Sequence, residues 1–206
     1  SYPAAQYAAH VTGYVGEITK EELETKDAER YRGGDVIGKN GIEGQYEDTL
    51  RGTAGEEVIE VDSRGRRLRN VSYTRSQKGE DMILTIDLAA QQYAAELLGK
   101  FRGTIIAMDV NDGSIKCLYS SPSYDPNPLT WGITGKEWAA LTDHKERPMM
   151  NRAISGAYPP ASTFKAITGS AVLENNIANR NTTVNCPGYF ELGNRRFRCW
   201  KHSGHG

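Results

Sequence analysis

Long apolar runs are absent. No stretch of the 206 residues approaches the roughly 18 apolar positions a membrane-spanning helix needs, so any anchor is expected to lie outside this chain. Ser1-Tyr2-Pro3 does not open the charged-then-apolar pattern of a signal peptide. An excess of one charge is also missing: 25 basic and 26 acidic residues leave a net charge of -1, with no long block of either sign. That excludes a phosphate-seeking surface and a disordered acidic tail, and with them nucleic acid as a partner. Cysteine is scarce, with three residues at 117, 186 and 199; these are too few for a disulfide-stapled scaffold, and the odd count leaves at least one unpaired. Internal repeats and low-complexity tracts are lacking too. What remains, 38% hydrophobic and 25% charged residues, is ordinary for a chain that folds in water around one sizeable core or two small ones.

Residues 1 to about 80 are punctuated by turn signals at Arg32-Gly33-Gly34-Asp35, Lys39-Asn40-Gly41 and Ser63-Arg64-Gly65, which leave room for short elements only. Lys20 to Arg30 reads as one polar helix. Glu57 to Val61 and Arg67 to Val71 alternate around a Gly-containing connection and read as a β-hairpin. The character changes at Met82 to Ile86, which reads as a buried strand, followed by Asp87 as cap of a helix through Leu98. A domain boundary is therefore placed near residue 80. Thr104 to Val110 and Ser114 to Tyr119, joined through Asn111-Asp112-Gly113, read as an antiparallel pair. Trp131 and Trp138 read as core anchors beside a helix starting at Thr134 or Gly135, with a substrate groove as the alternative. Pro159-Pro160 prevents a helix from starting before Ala161, and Ser162 to about Glu174 is then helical with Phe164, Ile167, Ala171 and Val172 on a buried side.

Ser162 and Lys165 stand out within that helix. A serine hydroxyl needs a base within hydrogen-bond reach to act as a nucleophile. A lysine three residues on shares its helix face and can serve if burial on Phe164 and Ile167 desolvates the amine. Ser162 also falls in the first turn, where free N–H groups favour developing negative charge. With 12 serines and 10 lysines in the chain, about 0.6 pairs at this spacing arise by chance, so the pair alone does not distinguish an active site from a helix cap beside a solvated lysine. The order of its surroundings does: Leu84-Thr85-Ile86-Asp87, then Asp109 to Gly113, Ser120-Ser121-Pro122-Ser123-Tyr124-Asp125-Pro126-Asn127, and Asn151-Arg152 leading to Tyr158-Pro159-Pro160-Ala161-Ser162-Thr163-Phe164-Lys165.

That order resembles the class B penicillin-binding proteins, especially the elongation-type transpeptidases, over most of residues 83 to 206. Ala9 to Gly16, Ile37 to Glu43, Leu50-Arg51-Gly52 and Val61 to Arg66 resemble the pedestal that precedes their catalytic domain. The resemblance implies an α+β architecture, with a strand-rich pedestal over residues 1–80 and an incomplete part of a serine β-lactamase-like transpeptidase domain over residues 81–206. It implies a peptidoglycan D,D-transpeptidase, acylated by β-lactams, with Ser162 as nucleophile and half of the oxyanion hole through its N–H, and Lys165 as general base. The substrates would be stem peptides, with no catalytic cofactor. The partners would be a membrane-anchored glycosyltransferase and scaffold proteins of the elongation machinery, on the extracytoplasmic face of the bacterial cytoplasmic membrane. A β-lactamase or β-lactam sensor, and an interaction module docking the scaffold, are the alternatives; the pedestal-like segment argues against the first, since a free hydrolase needs no spacer.

Two departures accompany the resemblance. The family usually has Gly immediately before the nucleophile, where this chain has Ala161. The Ser-x-Asn and Lys-Thr-Gly motifs that complete the family's site do not occur after Lys165, so residues 1–206 alone are expected to be an inactive fragment. Cys186, Cys199 and His205, separated by 13 and 6 positions, are ligand types suited to zinc. They resemble a metal-binding loop of some elongation-type members, in which a fourth ligand would follow Gly206. His202, in a Cys-x-x-His spacing with Cys199, is the local competitor, and a 186–199 disulfide or two free thiols the alternative without metal. Cys117 reads as a small packed hydrophobe, and His10 and His144 as ordinary packed or surface residues.

Overall fold

A computed structural model describes all residues, 1–206. Helices and strands are mixed in an α+β arrangement, and every sheet is a two-stranded antiparallel pair. In chain order the elements are α1 (Ala9–Thr12), β1 (Val15–Glu17), α2 (Lys20–Thr25), β2 (Val36–Gly38), α3 (Gly41–Gln45), α4 (Glu47–Leu50), β3 (Glu56–Val61) and β4 (Arg67–Thr74). There follow α5 (Leu88–Leu98), β5 (Gly103–Met108), β6 (Ile115–Ser121), α6 (Asn127–Thr130), α7 (Gly135–Thr142), α8 (Arg152–Ser155), α9 (Lys165–Glu174), β7 (Tyr189–Leu192) and β8 (Arg195–Arg198). Short 3₁₀ turns cover Ala5–Tyr7 and Ala161–Phe164. Backbone contacts group the chain into two units, Ser1–Ala157 and Tyr158–Gly206. No helix is long and apolar enough to cross a membrane.

The first unit holds three small cores. Ile18, Tyr31 and Ile37 form one, with Leu23 against it. Arg51 of the Leu50-Arg51-Gly52 motif organises its edge: the guanidinium lies 4.4 Å from the Tyr31 ring centroid, bonds Asp35 at 2.5 Å and Glu47 at 3.2 Å, and reaches the Val36 carbonyl. Glu47, itself buried, also accepts the Gly38 N–H, so its carboxylate is satisfied on both oxygens. Ala9, Tyr124 and Leu129 form a second core with Tyr14, Ile133, Leu141 and Met149 packed on it. Here the end of α1 meets the start of α3 so closely that a Cβ on Gly13 would fall 1.8 Å from the Asn40 carbonyl oxygen, and one on Gly41 2.5 Å from Gly13 N; only glycine fits either position. The third core joins Ala94 of α5 to Cys117 and Tyr119 of β6, and burial pushes the Cys117 thiol above its ordinary value.

Several expectations from the sequence hold. β3 and β4 pair antiparallel with two register shifts, and β5 and β6 pair across Gly113, which takes a positive φ of 74°. Asp87 caps α5 by accepting from Ala89 and Ala90 N–H, and Thr134 caps α7 in a capping box with Glu137. Others are corrected. The polar helix expected over Lys20 to Arg30 forms only in its first part, Lys20–Thr25, after which Lys26 turns extended. Met82 to Ile86 is not a strand: it is irregular with a bend at Thr85, and it bonds β6 through Thr85 Oγ1 to Ile115 O and, just beyond, Asp87 N to Lys116 O. Trp131 is 85% and Trp138 41% exposed, because Leu129, Ile133 and Leu141 take the inward positions around α6 and α7. His10 is packed, one of the two environments expected for it, with its Nε2–H donating to Pro148 O at 2.8 Å.

The second unit runs through the Ala161–Phe164 turn and α9 to the β7–β8 hairpin. The helix predicted from Ser162 begins as a 3₁₀ turn and becomes α-helical only at Lys165. Its expected buried side is not formed: Phe164 is 49% and Ile167 62% exposed. Ala161 has φ of +47°, a left-handed conformation that costs a residue with a Cβ about 1–2 kcal/mol.

Two outcomes follow from this packing. Burial first, and then the nearby Arg152 charge, lower the pKa of His10 below its ordinary 6.5 against an opposing bond to Pro148. The folded state therefore binds a proton less readily than the unfolded chain, so the contribution is intact above about pH 6.5 and is lost as pH falls below it; chemical denaturation between pH 7.5 and 5 should show stability falling, with a shallower slope in His10→Gln. For Ala161→Gly, relief of the about 1–2 kcal/mol left-handed penalty outweighs the about 0.4–1 kcal/mol from a freer unfolded chain. The midpoint in urea should thus rise slightly for Gly, whereas Ala161→Val should lower it.

Candidate active site and metal loop

Pro160, already in helical conformation, occupies the N-cap of the turn, and the left-handed Ala161 redirects the backbone into Ser162. The Lys165 N–H donates to the Ser162 carbonyl, closing one 3₁₀ turn between them. In such a turn residues three apart eclipse, so Ser162 and Lys165 project from one side of the chain. No hydrogen bond joins their side chains, and both residues are exposed. The shared face expected from the spacing is therefore present, while the expected desolvation of the amine is not. Thr163, between them, turns its hydroxyl back onto the Pro160 carbonyl, and its own N–H bonds the same oxygen.

Cys186, Cys199 and His205 converge: their Sγ, Sγ and imidazole nitrogen atoms all lie within 4.8 Å of one another. The backbone explains why. Cys186 O accepts from His205 N at 2.9 Å and Gly206 N at 3.4 Å, Cys186 N donates to Gly206 O, and Cys199 N donates to Gly188 O at 2.9 Å. The β7–β8 hairpin returns Cys199 to the level of Gly188, in register with Tyr189 opposite Arg198. Gly204, at φ of +77°, lies where a Cβ would come within 1.9 Å of Cys186 O, so the approach of the two loop ends requires glycine.

The His205 ring stacks edge-on against Trp200 with centroids 5.2 Å apart, and its Nδ1 is 3.5 Å from Cys199 Sγ. Hydrogen bonding to the His205 side chain, then to the Gly188 and His205 N–H groups and Cys199, pulls the Cys186 thiol down to about 6. Cys186 is thus ready to lose its proton near neutral pH, the state in which sulfur binds metal. His202 contributes its backbone to the packing around Gly188 and is not in the cluster. Cysteines 117, 186 and 199 are all free. Sequence spacing pointed to these three ligand types but not to the glycine-dependent loop closure that gathers them.

Comparison with known proteins gives two family matches. The penicillin-binding protein dimerisation domain matches residues 1–84 and the penicillin binding protein transpeptidase domain residues 103–206. The peptidoglycan D,D-transpeptidase MrdA of Acinetobacter baumannii is 41% identical over the whole of this chain and 31% of its own length; its Escherichia coli K12 counterpart is 40% identical, with 33% covered. The chain thus spans about a third of the curated relatives it matches. Among solved structures, PBP2 of Helicobacter pylori in its complex with MreC superposes with a TM-score of 0.86 at 33% identity, covering all of this chain and 38% of that one. Pseudomonas aeruginosa PBP2 in complex with WCK 5153 gives 0.82 at 36% identity, again over all of this chain and 42% of that one. The chain belongs to the penicillin-binding protein transpeptidase family.

Proposed function

We propose that this chain carries the nucleophile-bearing part of a serine-type peptidoglycan D,D-transpeptidase. The observation that carries the reading is the Ser162–Lys165 turn, one 3₁₀ step closed by the Lys165 N–H on the Ser162 carbonyl, in a chain of this family. Ser162 Oγ attacks the penultimate D-alanyl carbonyl of a stem peptide while Lys165 takes its proton, and the Ser162 N–H donates to the developing oxyanion. The D-alanine amine leaves with a proton, and an amine of a neighbouring stem attacks the acyl-serine, releasing Ser162 and forming the cross-link. A β-lactam acylates the same oxygen. Residues 1–80 act as pedestal and residues 81–206 as the first portion of the transpeptidase domain. The working location is the extracytoplasmic face of the bacterial cytoplasmic membrane, with a glycosyltransferase and an elongation scaffold as partners; the MreC complex of the Helicobacter pylori relative supports the scaffold.

The same reading assigns Cys186, Cys199 and His205 to a structural zinc. Two sulfurs and one imidazole within 4.8 Å, one thiol already lowered to about 6, fit that ion's preference for soft and borderline donors. The ion would tie the two ends of the β7–β8 hairpin to the Gly-His-Gly segment and take no part in acyl transfer.

Fluorescent penicillin should label the intact enzyme containing this sequence. Ser162→Ala should abolish labelling, and Lys165→Ala should slow it by about 10²–10⁴-fold, the range for loss of a positioned base; an unlabelled wild type overturns the reading. Residues 1–206 alone should stay unlabelled. Protein purified without chelator should hold about one zinc per chain by mass spectrometry, falling sharply in Cys199→Ser; zinc-free protein with a 186–199 disulfide would remove the metal from the proposal.

A further inference from the structure

The first unit contains a cavity of about 710 Å³ that acyl transfer does not use. Tyr124, Leu141, Met149 and Ile154 supply apolar wall, and the polar lining is His10 and Arg147 together with the neutral Asn40, Thr142, Asn151 and Ser155. A second, mostly apolar cavity of about 450 Å³ adjoins it, sharing His10, Gly41 and Ile154 and extending along Leu84, Ile86 and Leu118. A chain of the right length could occupy both.

The charge around the larger cavity has one sign. No Asp or Glu lines it, although the protein has 26 acidic residues. Arg147 forms no ion pair, and Asp143 and Glu146 of the same loop neither line the cavity nor pair with it. His10 donates from Nε2 to Pro148 O, and its lowered pKa keeps it neutral. Beneath the loop, Arg152 is 7% exposed and its guanidinium bonds only carbonyls, those of Glu146, Arg147 (3.1 Å) and Met150 (3.4 Å). Buried charges are ordinarily matched by an opposite one; this one is met by carbonyls alone.

Arg147 is also held in place. Its φ of +49° is one that residues with a Cβ seldom adopt. Its carbonyl is fixed by Arg152 and by Met150 N, and its N–H by His144 O. A strained residue fixed on both sides, presenting an unpaired cation at an apolar cavity, is the kind of outlier from which function is argued.

We propose that this cavity binds a carboxylate carried by an aliphatic peptide segment, with Arg147 receiving the carboxylate and Tyr124, Leu141, Met149 and Ile154 the aliphatic side chain. The proposal is independent of the transpeptidase reading, since none of these residues belongs to the Ser162–Lys165 turn. Its occupant is an acidic, aliphatic stretch of a partner protein; the absence of any lining carboxylate and the unpaired Arg147 argue for that charge.

Methionine makes the test direct, because the chain has four: Met149 and Met150 line the cavity, while Met82 and Met108 do not. The methyl spectrum of the full chain labelled at Met would be titrated with three probes: N-acetyl-leucyl-leucine, its C-terminal amide, and N-acetyl-leucyl-glutamic acid diamide. The Met149 and Met150 methyls should shift with the first or third probe and the Met82 and Met108 methyls should not, with affinity at least tenfold weaker for the uncharged amide, in Arg147→Gln, and in high salt. Preference for the first probe identifies a chain terminus as the source, and preference for the third an internal acidic side chain. Equal binding of acid and amide, or binding unchanged in Arg147→Gln at an unaltered unfolding midpoint, overturns the proposal, as does no shift with any probe.

Discussion

The amide of Gln91 holds the first unit together. It is fully buried on α5, and its Nε2 donates to Tyr7 O at 2.7 Å and Leu118 O at 3.2 Å while its Oε1 accepts from Leu118 N at 2.7 Å. It therefore pairs with Leu118 as a neighbouring strand would, on the edge of β6 that β5 leaves free. The same side chain captures the N-terminal segment through Tyr7. A buried amide left with any of these bonds unmade costs about 1–3 kcal/mol, so helix, strand and N-terminal segment are fixed together or not at all. Asp87 N and Thr85 Oγ1, bonding Lys116 O and Ile115 O, continue that cover along the edge, which limits unwanted strand pairing there.

From this joint the rest of the unit is sewn by side-chain to backbone bonds rather than by a large core. Asn127 and Tyr2 exchange two bonds, Ser123 donates to Gln6 O, and Asn151 donates to His10 O. Each matches a polar side chain of the later sequence to a carbonyl or N–H of the first ten residues. The three apolar clusters are small, with three buried residues each. Specificity of assembly therefore rests on directional bonds, which tolerate substitution less well than hydrophobic contact does.

What the sequence revealed and what it hid follow from the range of the forces involved. Caps, hairpins and turns were legible because their causes lie within a few residues: Asp87 and its helix, Thr134 with Glu137, Gly113 between β5 and β6. The proline pair and the Ser162–Lys165 spacing were legible for the same reason. Burial was not, since it depends on distant partners. Met82 to Ile86 has the apolar composition of a strand but finds no ladder. The tryptophans at 131 and 138 lose the inward positions to smaller neighbours, and α9 keeps Phe164 and Ile167 in solvent. The burial of Gln91 and Arg152 was not legible, because a polar residue in a sequence gives no sign that backbone carbonyls elsewhere will enclose it.

The same distinction governs the candidate chemistry. Local geometry is enough to bring a serine and a lysine to one side of a 3₁₀ turn and to point the chain there through a left-handed Ala161. It is not enough to make the lysine a base, because an ammonium loses its proton near neutral pH only when its charged form is destabilised by burial or by neighbouring cations. The Lys165 side chain here is exposed and makes no hydrogen bond to the Ser162 hydroxyl. Residues 158–165 thus set the position of the pair through local geometry alone.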